Sequence, residues 1–122
     1  MTTAMIAEDE ALMREHLKQC LASGWPELEI IAEAADGESA IRLFAAHQPD
    51  VVFLDIRMPG KLGTEVAAQI GERAHVVFTT AYDDYAVQAF DNGAVDYLLK
   101  PIDVERLAAT VSRLKKRPNA AS

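Results

Sequence analysis

Val51-Val52-Phe53-Leu54-Asp55 is the most informative segment for the fold, because four apolar residues in a row are followed directly by an acid. A continuous apolar run is typical of a strand that is buried on both faces, as in a parallel sheet. Similar runs recur about 20–25 residues apart, which is room for a strand and a crossover helix. They occupy residues 4–7, 28–32, 76–78 and 97–99.

Between these runs, apolar residues recur at three- and four-residue steps, the period of a helix that buries one face. The period predicts helices over residues 12–21, 40–45, 65–70 and 104–114, and a fourth helix, in chain order, after Tyr82. Asn92-Gly93 is predicted to end that fourth helix in a left-handed cap. The sequence therefore predicts an α/β domain of flavodoxin-like (βα)5 type, a doubly wound parallel five-stranded sheet with strand order 2-1-3-4-5.

Length, charge and cysteine content exclude several classes of protein. The 122 residues suit one domain, which we place at residues 1–117, with 118–122 as a tail or the start of a linker to an absent output domain. The formal charge of −7 disfavours direct binding of nucleic acid, since phosphate backbones repel a negative domain. Cys20 is the only cysteine and no apolar stretch approaches about 20 residues, which predicts a soluble cytoplasmic chain without disulfides or membrane association.

Polar residues follow the strands at the edge of the sheet where such folds bind ligands. These residues are Glu8, Asp9, Glu10, Asp55, Thr79, Thr80 and Lys100. Converging carboxylates repel each other, and a divalent cation that prefers oxygen ligands, such as Mg²⁺, relieves that repulsion. A carboxylate beside Mg²⁺, a lysine and a hydroxyl can attack phosphorus, so the pattern predicts a phosphoryl acceptor that forms an acyl phosphate.

The acids and the lysine of this set, and Tyr97 in the last apolar run, also have purely structural interpretations. The acids from Glu8 to Glu10 suit the N-terminus of a helix, where carboxylates favour the dipole. Asp55 either faces a site or caps a turn, and Lys100 by itself is an ordinary solvated lysine. Tyr97, in an apolar run, is by default a core aromatic. The phosphoacceptor hypothesis therefore depends on the four strand ends taken together.

The sequence resembles the receiver domain of bacterial two-component response regulators over about residues 4–114. The motifs that carry the resemblance lie at residues 6–10, 51–60, 79–82 and 94–101. Residues 80–90, continued by 97–101, resemble the branch whose receivers precede LytTR-type DNA-binding domains. Glu8 departs from the family pattern, in which an aspartate is more usual.

The resemblance implies the roles of individual residues. Asp55 would accept the phosphoryl group from a sensor histidine kinase, and Lys100 would pair with that group. Glu8, Asp9, Asp55 and the backbone carbonyl of Arg57 would hold Mg²⁺. The domain would therefore be regulatory rather than an enzyme, although it would assist its own phosphoryl transfer and dephosphorylation.

The resemblance also implies a switch. Thr80 would be the switch hydroxyl, and Tyr97 the aromatic that turns inward when Thr80 is drawn to the phosphate. The Lys100–Pro101 peptide bond would be cis. Phosphorylation would change the surface of the fourth helix, fifth strand and fifth helix, and so control homodimerisation or a LytTR-type output that binds DNA in the full-length protein.

Three alternatives remain at this point. The chain could be a stand-alone receiver that acts by docking on a partner protein. It could be a small phosphatase with Asp55 as nucleophile, although no histidine follows a strand where an acid or base would be needed. A flavin-binding module is disfavoured, because the acids after the first strand would repel the phosphate of the ligand.

Overall fold

The computed structural model describes residues 1–81 and 93–117, which contain all five predicted strands. They form one parallel sheet in the order β2-β1-β3-β4-β5, which confirms the predicted topology. The strands are β1 (Thr3–Ala7), β2 (Glu29–Ala34), β3 (Val51–Asp55), β4 (His75–Thr80) and β5 (Asp96–Leu99).

Helices connect the strands. The described ones are α1 (Ala11–Gly24), α2 (Gly37–His47), α3 (Gly63–Ile70), a 3₁₀ turn (Gly71–Arg73) and a C-terminal helix (Val104–Lys115). The predicted helix after Tyr82 lies outside the described residues, as do Asn92 and the tail at 118–122. Gly93 is described, and its φ of 76° is the left-handed backbone predicted there.

Two hydrophobic cores lie on opposite faces of the sheet, because neighbouring residues of a strand point to opposite sides. Phe53 joins the core that contains Leu21 of α1 and Leu107 of the C-terminal helix. Leu54, the next residue, joins the core that contains Phe44 of α2 and Val66 of α3. All five residues of β3 are buried, as the opening apolar run predicted for the central strand.

Some apolar residues of α1 and of the C-terminal helix are less buried than their helical period predicts. Leu12 is 82% exposed and Val104 is 49% exposed. Ala108, another member of the C-terminal stripe, is exposed as well. Leu12 and Val104 both lie in the first turn of a helix. Helical period alone does not reveal where along a helix the packing begins.

No helix within residues 1–81 and 93–117 combines the length and the apolar character that a membrane crossing requires.

Candidate functional site

Asp55 lies at the carboxyl end of β3, level with Thr79 of β4 in the strand register. Asp55 is only 3% exposed. One carboxylate oxygen, Oδ1, accepts a hydrogen bond from the backbone N–H of Arg57 at 3.2 Å. The other, Oδ2, accepts one from the Lys100 ammonium at 2.9 Å. The predicted acceptor carboxylate is thus held in place while remaining at the sheet edge.

Lys100 connects two acids that are far apart in sequence. Its Nζ atom lies 2.5 Å from Oε1 of Glu8 and 2.9 Å from Oδ2 of Asp55. The backbone N–H of Lys100 donates to the carbonyl of Thr80 at 2.8 Å. This bond holds the first residue after β5 against the end of β4. The ends of β1, β3, β4 and β5 therefore meet at one point, as the strand order predicted.

Burial is the largest single influence on the pKa of both Asp55 and Lys100, but it determines the direction of the shift only at Asp55. Burial raises the pKa of Asp55 to about 7; the Lys100 ammonium opposes this rise, and the nearby Glu8 carboxylate adds to it. Burial lowers the pKa of Lys100, but its hydrogen bonds to Glu8 and Asp55 outweigh that effect and leave the pKa raised. Among the ion pairs of the described residues, those of Glu8 and Asp55 are both made with the Lys100 ammonium.

Asp55→Asn is expected to stabilise the metal-free domain, and more so at higher pH. The folded pKa of Asp55, about 7, exceeds the ordinary value of 3.8, so between these pH values the folded state binds more protons than the unfolded chain. The free energy of unfolding of the wild type therefore falls as the pH rises through that range. Asparagine does not titrate, and we expect the variant to gain about 4 kcal/mol over wild type between about pH 4 and pH 8.

Urea unfolding in EDTA across this pH range tests the prediction. The control is Glu72→Gln, which neutralises an exposed acid in the 3₁₀ turn. A difference in unfolding free energy between Asp55→Asn and wild type that stays constant with pH would contradict it.

The acids of the loop after β1 have the chemistry that Mg²⁺ prefers. One carboxylate oxygen from each of Glu8, Asp9 and Glu10 lies within 4.8 Å of the others, and Glu8 is buried while the other two are exposed. Asp9 and Arg57 line the same groove, together with Met58, Pro59 and Leu62. Hard oxygen donors of this kind fit Mg²⁺, and the groove leaves room for the water molecules that Mg²⁺ retains.

The two predicted switch residues differ in burial. Thr80 is 1% exposed at the end of β4. Tyr97 is partly buried and packs against the core that contains Phe44. It also lines a cavity of about 270 Å³ with Leu99, Pro101, Asp103 and Arg106. The Lys100–Pro101 peptide bond is cis, which confirms that prediction.

Asp96, at the start of β5, is a buried acid whose role the sequence analysis missed. Its carboxylate accepts hydrogen bonds from the backbone N–H of Tyr97, from Arg106 and from Thr110, and it pairs with Arg113. Burial raises the pKa of Asp96, but the bonds from Arg106 and Thr110 outweigh it and hold the pKa below its usual value. The network ties the strand that carries Tyr97 to the C-terminal helix. Its signal in the sequence is the spacing of Arg106, Thr110 and Arg113, which follow one another by about one helical turn beside the apolar face that contains Leu107 and Leu114.

Gly63 is the second feature that sequence reasoning missed. Its N–H donates to the carbonyl of Ile56 at 2.7 Å, and a Cβ atom added to it would lie 2.2 Å from the carbonyl oxygen of Asp55. The first turn of α3 therefore packs directly against the backbone of the acceptor residue. Only glycine allows this approach, because any side chain would collide with the main chain.

Comparison with known sequences identifies relatives over nearly the whole chain. Residues 4–112 match the family described as response regulator receiver domain. An uncharacterized response regulatory protein of Vibrio cholerae serotype O1 is 51% identical over 118 residues, which cover 94% of this chain and 45% of that protein. The transcriptional regulatory protein BtsR of Salmonella typhi is 42% identical, over 95% of this chain and 49% of that protein. The chain spans about half the length of these curated relatives.

Comparison with solved structures agrees with this result. The fold superimposes on the REC domain of AraT, a response regulator from Geobacillus stearothermophilus, with a TM-score of 0.85 and 36% sequence identity. The match covers 94% of this chain and 93% of that one. These comparisons do not place the chain in the LytTR-type branch, and that assignment stays a prediction.

Proposed function

Because this chain belongs to the family of response regulator receiver domains, we propose that it is a phosphorylation-dependent switch in which Asp55 accepts a phosphoryl group from a sensor histidine kinase. Receiver domains regulate other proteins, and this disfavours the alternative of a small phosphatase. The observation that carries the proposal is the contact between a buried, strand-end carboxylate and the ammonium of Lys100.

The transfer forms one bond and breaks one. An oxygen of the ionised Asp55 carboxylate bonds to phosphorus while the bond between phosphorus and the phosphohistidine nitrogen breaks. The electron pair of that bond stays on the imidazole, which takes up a proton. Lys100, already 2.9 Å from the acceptor carboxylate, can pair with the oxygens of the transferring group, and the hydroxyl of Thr80 can donate to one of them.

The metal belongs to the same site. We assign Mg²⁺ to Glu8, Asp9, Asp55 and the backbone carbonyl of Arg57, as the family resemblance implies. When bound, Mg²⁺ neutralises charge on the phosphoryl oxygens and favours the ionised form of the acceptor. The grouping of the loop acids and the groove shared by Asp9 and Arg57 support this assignment.

The output of the switch is a changed surface. Binding of Thr80 to the phosphoryl group would draw Tyr97 inward and alter the exposed face of β5 and the C-terminal helix, where Leu99 and Val104 are about half exposed. We propose that this face forms a homodimer on activation. The relatives' greater length and the name of BtsR support a DNA-binding output in the full-length protein, which we propose is of LytTR type.

Incubation with Mg²⁺ and acetyl phosphate tests the proposal. The intact mass of the wild type should increase by one phosphoryl group with Mg²⁺ and should stay unchanged in EDTA. Sedimentation velocity with Mg²⁺ and beryllofluoride, which mimics the phosphoryl group, should detect a dimer. Equal uptake of phosphate with and without Mg²⁺ would contradict the proposed site. A domain that stays monomeric both with and without beryllofluoride would favour the alternative of a stand-alone receiver that docks on another protein.

A further inference from the structure

Arg14 joins the acidic loop to the edge of the sheet. Its guanidinium NH1 donates to the backbone carbonyl of Glu8 at 2.7 Å, while its Nε lies 3.3 Å from Oε1 of Glu33. Arg14 lies in the first turn of α1, and Glu33 lies near the end of the edge strand β2. One side chain therefore bridges the loop after β1 and the neighbouring strand.

The carbonyl that Arg14 binds belongs to Glu8, the first residue of the loop after β1. Ladder pairing of β1 ends at Ala7, and Glu8 is the first residue beyond it. The N–H of Glu8 still donates to the carbonyl of Ala34 at 2.9 Å, so Arg14 and β2 hold the Glu8 peptide units from both sides. The carboxylate of Glu8 also accepts from the N–H of Glu10 at 3.0 Å. The backbone of Glu8 thus sets the positions of its own carboxylate and of the next residue, Asp9.

The charge of Arg14 is balanced by Glu33, which also pairs with Lys18 at 3.1 Å. The Arg14 side chain is 22% exposed, whereas that of Lys18 is 33% exposed. Lys18 shares the acid but has no recorded contact with Glu8 within the described residues. Arg14 and Lys18 therefore both pair with Glu33, but among the contacts of the described residues Arg14 alone also binds the Glu8 carbonyl.

We propose that Arg14 is a positioning residue that sets the geometry of the Glu8–Asp9 loop and thereby its affinity for a divalent cation. The inference rests on the proposed Mg²⁺ site. Outer residues that orient metal ligands commonly change metal affinity by about 10–100-fold when they are removed.

The direction of the effect separates positioning from charge. A cation close to a metal site repels the metal, so loss of Arg14 would strengthen Mg²⁺ binding if the guanidinium acted only through its charge. If it acts by fixing the Glu8 carbonyl, its loss weakens binding. The two accounts predict opposite signs.

Titration of Mg²⁺ into the unphosphorylated domain by isothermal calorimetry provides the test. We expect Arg14→Ala to weaken Mg²⁺ binding by about tenfold. Arg14→Lys keeps the charge but loses the planar guanidinium that contacts the Glu8 carbonyl and Glu33 at the same time, so it should bind Mg²⁺ with intermediate affinity. Lys18→Ala, the matched control, should bind as the wild type does, and urea unfolding should confirm that every variant is folded at the titration temperature.

The outcomes separate this inference from the function on which it rests. Equal or tighter binding of Mg²⁺ by Arg14→Ala, with a wild type that binds, overturns the positioning role alone. An equal loss in Lys18→Ala also overturns it, because the effect would then come from Glu33 or from general destabilisation. A folded wild type that binds no Mg²⁺ overturns the proposed metal site, and the inference with it.

Discussion

Lys100→Ala is expected to slow the phosphorylation of Asp55 by acetyl phosphate by about 100-fold, since removal of one preorganised charge at a reacting group typically costs this much. The Lys100 ammonium lies between the carboxylates of Glu8 and Asp55, within 3 Å of each. Its loss leaves two buried acids facing each other and removes the cation that would pair with the transferring phosphoryl group. The appearance of phosphorylated protein is followed by intact mass at saturating Mg²⁺.

The control for this variant is Lys61→Ala. Lys61 lies in the loop between β3 and α3, and its ammonium is 3.8 Å from a carboxylate oxygen of the exposed Glu38. It has the same charge in the same region without contacting either site acid in the recorded ion pairs of the described chain. A rate for Lys100→Ala close to that of Lys61→Ala would contradict the role assigned to Lys100.

Gly63→Ala is expected to lower the free energy of unfolding by about 3 kcal/mol, at the upper end of the cost of overpacking, because the new methyl group meets backbone rather than a movable side chain. The methyl carbon would lie 2.2 Å from the Asp55 carbonyl oxygen and 2.8 Å from the Ile56 Cα atom. Either α3 or the end of β3 must shift. The shift displaces the acceptor residue, so phosphorylation should slow as well.

Gly24→Ala is the matched control for this substitution. Gly24 ends α1, and a Cβ atom added there meets no atom of residues 1–81 or 93–117 within 4 Å. Alanine at this position should leave the stability equal to or slightly above that of the wild type, in line with helix propensity. Urea unfolding of both variants measures the difference, and equal stabilities would contradict the close packing of α3 on Asp55.

The central part of the site was predictable because it follows from topology. Parallel strands place their carboxyl ends at one edge, so the order 2-1-3-4-5 brings the ends of β1, β3 and β5 together before any side-chain contact is known. Asp55 is the last residue of β3, Glu8 and Lys100 directly follow β1 and β5, and the three side chains meet as expected. The roles of Thr80 and Tyr97 in switching stay predictions.

The supporting contacts were not predictable, since they depend on side-chain reach and on exact distances between elements. The Asp96 network needs Arg106 to approach from another element, and the Gly63 contact needs α3 to begin within touching distance of β3. A sequence pattern gives the face of a helix but not its distance from the sheet. For the same reason, the helical period wrongly assigned Leu12 to a buried face.

Wild type and Asp55→Asn can be incubated side by side with Mg²⁺ and acetyl phosphate, and the intact mass of each protein then shows whether Asp55 is the phosphoacceptor. We expect the wild type to gain one phosphoryl group, peptide mapping to place this group on Asp55, and the variant to gain none. Equal phosphate uptake by the variant, or no uptake by a folded, Mg²⁺-bound wild type, would contradict the assignment of Asp55 as the phosphoacceptor.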